Sequence, residues 1–444
     1  MIHGLWFTYR NEKKMKIVIM AGGRGTRIAE LFPDIPKPLI PVDGMPILER
    51  EIRSLASQGF KDLILTVGYL ADKIIASFGD GSQLGVKIEY FVEETPLGNA
   101  GALFQLKEKI GDEPFFLLNA DAAFDVDFNR MYEFHQKHGG LVTLFTHPNS
   151  HPYDSGLIIA DKDGHVEKWL SKEDERPQWY NNRVNAGLHI IDPKVLELSL
   201  KTLEIDQDTG FTKGKVDLDR QILKPLCGTG NMFCYDSPEY VKDMGTPERF
   251  HQVEADYKNG VVQAKNLHNK QKAVFLDRDG TINKYVGFLR NIDDFELIEG
   301  VSEAIKQINQ SGYLAIVVTN QPVIARGEVS WEELHEIHKK METLLGKDGA
   351  YIDALYICPH HPDKGFEGER PEYKFDCECR KPKPGLLLQA AKDFNIDLSQ
   401  SIMIGDSERD VEAGRAAGCL ESIQVETNKQ GAMVSAIEKV FLSK

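Results

Sequence analysis

Two stretches of this sequence join a short apolar run to residues able to handle phosphate. The run Lys16–Met20 leads into Ala21-Gly22-Gly23-Arg24-Gly25-Thr26-Arg27. Glycines let backbone N–H groups close around phosphate oxygens, and Arg24 and Arg27 bring positive charge to that cradle. Further on, Pro36 and Pro38 flank Lys37. An ammonium held rigidly beside a triphosphate stabilises the charge that develops during transfer. A glycine turn followed by a proline-rich loop is the plain alternative, and the pairing of the two motifs weighs against it.

The second run, Lys272–Leu276, leads into Asp277-Arg278-Asp279-Gly280-Thr281. Two aspartates separated by one residue at a strand end can serve as nucleophile and as acid/base. Alone, that motif is more often a solvated turn. Here it is followed by Thr319-Asn320-Gln321, Arg380-Lys381-Pro382-Lys383-Pro384 and Gly405-Asp406-Ser407-Glu408-Arg409-Asp410. Each lies just past a strand-like run or at a helix start, where one crevice could collect them all.

A third group is Cys358-Pro359-His360-His361 with Cys377-Glu378-Cys379. Three thiolates and one imidazole make a closed tetrahedral set for structural Zn2+. His361 is the alternative to His360, and three buried free cysteines are the bland reading. Six cysteines in 444 residues are too few for a disulfide framework and indicate a reducing compartment.

The elements that must position these groups follow from apolar periodicity. Strand-like runs recur at 62–67, 86–91, 114–118, 141–145, 156–160 and 187–191, with helical patterns at 45–58 and 98–110. The second half shows helices near 301–311, 330–345 and 384–394 and strands at 313–318, 353–357 and 401–404. Such alternation predicts an α/β chain of two Rossmann-like three-layer α/β/α domains. The expected division is an N-terminal extension 1–14, a first domain 15–260, a polar linker 261–271 and a second domain 272–444. A net charge of −15 argues against nucleic acid and anionic membrane as partners. No apolar run reaches the ~18 residues of a membrane span. The expected partners are small molecules, and the free cysteines with no export-signal pattern make the cytoplasm the expected location.

The first pair of motifs resembles the sugar-phosphate nucleotidyltransferases through most of residues 15–250. That resemblance implies a mixed sheet in the first domain. It implies a nucleobase loop at Glu94–Gly101, containing Gly98 and Asn99, and Mg2+ carboxylates at Asp121 and Asp243. Ala120 stands where the family usually has glycine. The resemblance also implies that Glu167, Lys168 and the turn Asn185-Ala186-Gly187 meet the sugar and its phosphate. Gly22, Gly23, Gly25 and Thr26 would cradle the triphosphate, with Arg27 and Lys37 balancing its charge.

The later motifs resemble the haloacid-dehalogenase superfamily over residues 272–430, with a parallel sheet. By that resemblance Asp277 is the nucleophile and Asp279 the acid/base, while Thr319 and Lys381 steady the phosphoryl oxygens. Mg2+ is held by Asp277, Asp406 and the backbone carbonyl of Asp279. Many relatives carry an acid directly after the position of Asp406. Here that residue is Ser407, and Asp410 is its candidate replacement. The zinc-pinned loop is similar to that of the histidinol-phosphate and heptose-bisphosphate phosphatases. Its length, and Arg380 next to Lys381, favour the heptose branch, with Asn320 a further substrate-binding candidate. The first half looks most like the heptose 1-phosphate guanylyltransferases. The expectation is therefore a bifunctional enzyme of GDP-D-glycero-α-D-manno-heptose synthesis. The alternatives are another sugar phosphate, another nucleotide, the histidinol branch, or a non-catalytic sensor.

Overall fold

The computed structural model describes residues 15–23, 25, 27–206 and 212–442. The extension 1–14 and Thr26 lie outside them. Two sheets organise the chain. The first has nine strands, in the order 166–170, 157–160, 184–191, 115–119, 17–21, 62–67, 87–92, while 142–147 pairs with 184–191 and 232–236. Its centre is parallel, because Ile17–Ala21 runs alongside both Asp62–Val67 and Phe115–Asn119. Val184–Ile191 then pairs antiparallel with Phe115–Asn119, which makes the sheet mixed. The central strands are buried on both faces, so they read as unbroken apolar runs rather than alternating ones.

The second sheet has five parallel strands, ordered 354–358, 313–320, 272–276, 402–405, 421–424. Both phosphate motifs emerge from the C-terminal ends of central strands, where an α/β sheet presents its ligands. The helix Trp331–Lys347 begins with a capping box between Ser330 and Glu333. Among the described residues no helix is long and apolar enough to cross a membrane.

Two expectations need correction. The helical pattern at 98–110 is two short helices, Gly101–Gln105 and Lys107–Ile110, broken at Leu106. Gly98 has a φ of +83°, and a Cβ there would collide with the backbone of Val216, so the chain enters the first helix only at Gly101. The stretch 261–271 is packed, not a free connector. Val261–Ala264 is a helical turn, and Lys265, Asn266, Leu267 and Gln271 are all buried. Its polar side chains bond to protein: Asn266 donates to Asp125, and Gln271 to backbone carbonyls. Polarity there marks a hydrogen-bonded seam.

Candidate active sites

Lys37 is the centre of the first site. Its side chain is buried, and Nζ lies 2.7 Å from Asp121 Oδ2 and 3.6 Å from Asp243 Oδ1. Gly25, at φ +58°, brings the loop against the Lys37 stem, with a Cβ position only 3.3 Å from Lys37 Cβ. Asp121 follows the strand 115–119, and Asp243 ends the short strand Tyr240–Asp243, which pairs antiparallel with Ala122–Asp125. That ribbon places the two carboxylates together. Two carboxylates beside a glycine-lined opening suit Mg2+, which takes few protein oxygens and keeps the rest for phosphate and water.

The site opens into a cavity of about 950 Å3, lined by Gly22, Gly23, Gly25, Arg27, Lys37, Gly98, Asn99 and Asp121. Asn99 is fixed there by accepting from the Leu218 backbone N–H at 2.7 Å. Glu93 and Lys215 also line it and carried no sequence motif. Burial pushes the Glu93 carboxyl up, against a hydrogen bond from the Leu97 N–H. Arg249 was equally unforeseen. It pairs with Asp243 from the helix Pro247–Lys258, and its only signal was its place after Asp-Met-Gly-Thr-Pro.

Asn185 lies apart from this cavity, in a second one described below. Its Oδ1 faces His189 Nε2 at 3.1 Å. Gly187 has a φ of +78°, and a Cβ there would lie 2.8 Å from Asn119 Nδ2. Glu167 and Lys168 are exposed on the strand 166–170 and line neither cavity. The structure thus does not bring this pair to the sugar side as the resemblance implied. The strand stands at the outer end of the sheet, three places from Phe115–Asn119.

In the second site Lys381 is buried between two carboxylates, 2.5 Å from Asp277 Oδ1 and 2.6 Å from Asp410 Oδ1. Burial raises the Asp277 carboxyl to about 7, against the pull of Lys381. Oxygens of Asp277, Asp406 and Asp410 lie within 4.8 Å of one another. This all-oxygen triad fits a hard divalent cation. Ser407 and Asp410 form the capping box of the helix Glu408–Ala417. The acid therefore stands one helical turn into the motif, with a serine cap in the place where relatives have an acid. Asp406 accepts from Thr427 at 2.9 Å. Gly280 is required beside it, since a Cβ there would run into the Asp406 carboxylate.

The Asp279 side chain stands apart from the triad. It accepts from Arg278 Nη2 at 2.8 Å, Asn283 at 3.0 Å and Gln321 at 2.8 Å. Burial would raise its carboxyl, but Arg278 and these hydrogen bonds prevail and hold it below the ordinary range. Thr319 is buried and accepts from the same Gln321 amide. Asn320 exchanges hydrogen bonds with the Lys381 backbone in both directions, each at 3.1 Å. Arg380 lines the 270 Å3 cavity with His361 and Arg409, and donates to the His360 carbonyl.

Cys358, His360, Cys377 and Cys379 converge. Four of the six ligand-atom pairs stand 3.2 to 3.7 Å apart, and all lie within 4.8 Å. A tetrahedral zinc with bonds of about 2.0–2.3 Å has edges of roughly 3.3–3.8 Å, so the spacing fits the ion. The sulfurs are too far apart for a disulfide. His361 faces the catalytic cavity instead, which decides between the two histidines.

Comparison with known proteins agrees with this division. The nucleotidyl transferase family profile matches residues 16–260, and a HAD-hydrolase-like profile matches 378–438. The D-glycero-beta-D-manno-heptose-1,7-bisphosphate 7-phosphatase of Haemophilus ducreyi is 47% identical over 160 residues, covering 36% of this chain and 85% of its own. The mannose-1-phosphate guanyltransferase of Aspergillus fumigatus is 34% identical over 242 residues, covering 53% of this chain and 62% of its own. The crystal structure of HddC from Yersinia pseudotuberculosis is 25% identical, with a TM-score of 0.46 over 55% of this chain and 99% of that one. The chain therefore belongs to the nucleotidyl transferase family and, in its C-terminal part, to the family of the heptose-1,7-bisphosphate 7-phosphatases, and it joins a nucleotidyltransferase and a phosphatase in one polypeptide.

Proposed function

We propose that the two halves catalyse consecutive steps of nucleotide-sugar synthesis. The C-terminal half removes the 7-phosphate of D-glycero-D-manno-heptose 1,7-bisphosphate. The N-terminal half then transfers GMP from GTP to the heptose 1-phosphate and releases pyrophosphate. The observation that carries this reading is the joining of a Lys381–Asp277 phosphatase centre to a Lys37–Asp121–Asp243 transferase centre in one chain. The product of the first reaction belongs to the substrate class of the second.

Asp277 attacks phosphorus, and Lys381 and the Thr319 hydroxyl balance the oxygens of the phosphoryl group in flight. Asp279 serves the leaving hydroxyl and then the attacking water, after release from Arg278 and uptake of a proton. Mg2+ held by Asp277, Asp406 and Asp410 would neutralise phosphate charge and keep Asp277 ionised. Asn320 orients Lys381, and Arg380 meets the phosphate that stays on the sugar.

In the other half Lys37 and Arg27 balance the triphosphate, Gly98 and Asn99 frame the base, and Gly22, Gly23 and Gly25 admit the phosphates. Asp121 and Asp243 would hold Mg2+, which would neutralise triphosphate charge. Transfer needs no covalent enzyme intermediate, so positioning and charge do the work. Zn2+ at the Cys3His cluster would be structural. The GTP supply places both steps in the cytoplasm.

The anomer is a point of tension. Guanylyl transfer suggests α, while the Haemophilus relative is named for the β form. One-pot mass spectrometry resolves it: protein, Mg2+ and each anomer separately, with GTP, ATP, UTP, CTP and dTTP in equal mixture. A GDP-heptose peak from the α anomer alone is the expected result. Phosphate release without any nucleotide sugar would send the first half back to another sugar. From the bisphosphate, Asp277→Asn should abolish phosphate release and with it nucleotide-sugar formation, which added heptose 1-phosphate restores, whereas Lys37→Ala should abolish nucleotide-sugar formation only.

A further inference from the structure

The seam between the two halves contains a second cavity, of about 430 Å3. The transferase half contributes Asn185, Asp243 and Arg249 to its wall, and the phosphatase half contributes Lys306, Gln310 and Asp353. Asp243 joins this space to the triphosphate site, because its Oδ1 lies 3.6 Å from Lys37 Nζ. The two cavities are thus neighbours across Lys37, with Asp121 lining the first and Asp243 the second. In-line transfer asks for that layout. The triphosphate enters on one side of the carboxylates, and the attacking sugar phosphate must approach from another.

The seam cavity has the chemistry of a hydrophilic occupant. Its lining carries charge and amide groups from both halves. Asp353 is buried with Oδ1 free of any hydrogen bond, while Oδ2 accepts from the Ala315 N–H at 2.7 Å. Lys265 Nζ stands 3.9 Å away, an ion pair without a hydrogen bond. An unsatisfied buried carboxylate oxygen costs free energy unless something else donates to it. Sugar hydroxyls are such donors. The volume falls within the range of small-molecule sites.

We propose that the seam cavity holds the sugar of a sugar 1-phosphate during nucleotidyl transfer, and that the phosphatase half builds its outer wall through Lys306 and Gln310. The inference rests on the nucleotidyl-transfer reading above. It adds that the transferase site is completed by the other catalytic half.

The test uses the full-length chain with Lys306→Ala/Gln310→Ala and, separately, Gln310→Trp to fill the space. Transfer is assayed with varied heptose 1-phosphate at saturating GTP, then with varied GTP, and phosphate release is measured in parallel. The expected result is a rise of about five- to tenfold in KM for the sugar phosphate in the double variant. The tryptophan variant should lose more. KM for GTP and the phosphatase kinetics should stay unchanged in both. Unchanged sugar-phosphate kinetics in both variants would overturn the proposal, as would an equal loss in all three measurements. Failure of the underlying reading looks different. The unsubstituted chain would then form no nucleotide sugar from any triphosphate, and the seam proposal would fall with it.

Discussion

Arg278 has no exposed surface, and its guanidinium is spent on two partners. Nη2 donates to both oxygens of Asp279, and Nη1 meets His338 Nε2 at 2.9 Å. Burial, with Arg278 beside it, holds His338 well below the ordinary imidazole range, so the ring is neutral and accepts. Replacing Arg278 by Met should destabilise the chain by about 3–5 kcal/mol, since it strands a buried carboxylate. Urea denaturation at pH 7 measures this, and a loss under about 1 kcal/mol would show that Asp279 finds another partner. The pH dependence has a definite sign. A carboxyl depressed in the fold stabilises above its unfolded pKa and loses that contribution as pH falls through the folded value. The gap between the two proteins should therefore close only below the ordinary carboxylate range. At this scale the sequence displayed groups that the structure clusters, but not the partners that hold them. Asp277, Asp279 and Lys381 stand in local motifs, whereas His338 and Arg249 reach their partners from separate helices and leave no spacing to read.

Among the elements, the stretch 261–271 shows where periodicity misleads. Glu239 is buried and receives the backbone N–H groups of Asp127 and Leu267 on Oε1, at 2.7 and 2.9 Å. Its Oε2 accepts from the Ser237 hydroxyl at 2.9 Å. One side chain therefore ties the connector to the first half. Burial, only partly opposed by these bonds, raises its carboxyl to about 7. A raised carboxyl binds its proton more tightly in the fold, so stability falls as pH climbs from the unfolded value to about 7. Glu239→Gln keeps both backbone N–H groups on its amide carbonyl and only reverses the Ser237 bond, its NH2 donating to the hydroxyl oxygen. It should be nearly neutral at pH 5 and stabilising by about 1–3 kcal/mol at pH 8. A variant equally stable or less stable at pH 8 would sink this account. The Cys/His cluster was legible because its spacing is local: the four residues fall in two tight pairs, at 358–360 and 377–379. Chelation should expose the buried Cys358 and Cys377 to a thiol reagent many-fold faster than in the untreated protein. Equal rates with and without chelator would mean that no metal pins the loop. Strands with apolar cores were equally legible, since the runs at 62–67 and 115–119 announce themselves. The edge strand 421–424 is half-exposed and short, and it carries no such pattern.

For the molecule as a whole, the helix Trp331–Lys347 is the part that both catalytic halves share. His338 faces the Asp279 network, while further along Glu342 accepts from Asn181 and the Asn182 N–H at 2.9 and 2.7 Å. Thr343 exchanges hydrogen bonds with the Tyr180 backbone at 2.8 and 3.0 Å. The Lys340 and Lys347 ammoniums each lie 5.5 Å from the Trp179 ring. At Gly346 the halves meet with no room for a side chain, a Cβ position there lying 2.7 Å from Pro152 Cγ. A glycine inside a helix costs about 1 kcal/mol relative to alanine, so Gly346→Ala should strengthen the helix taken alone. Overpacking at a fixed contact costs about 1–3 kcal/mol, and the proline ring stands against rigid backbone. The contact outweighs the propensity, and the cheapest relief is for the seam to open rather than for the helix to melt. Amide hydrogen exchange should therefore quicken across 177–182 while the middle of the helix keeps its protection. Faster exchange within the helix itself would mean that the strain is relieved locally. Unchanged exchange on both sides would mean that Pro152 yields freely. Opening the seam would also enlarge the cavity between Asp243 and Lys306, so the same variant should weaken sugar-phosphate use in transfer while leaving phosphate release at Asp277 intact.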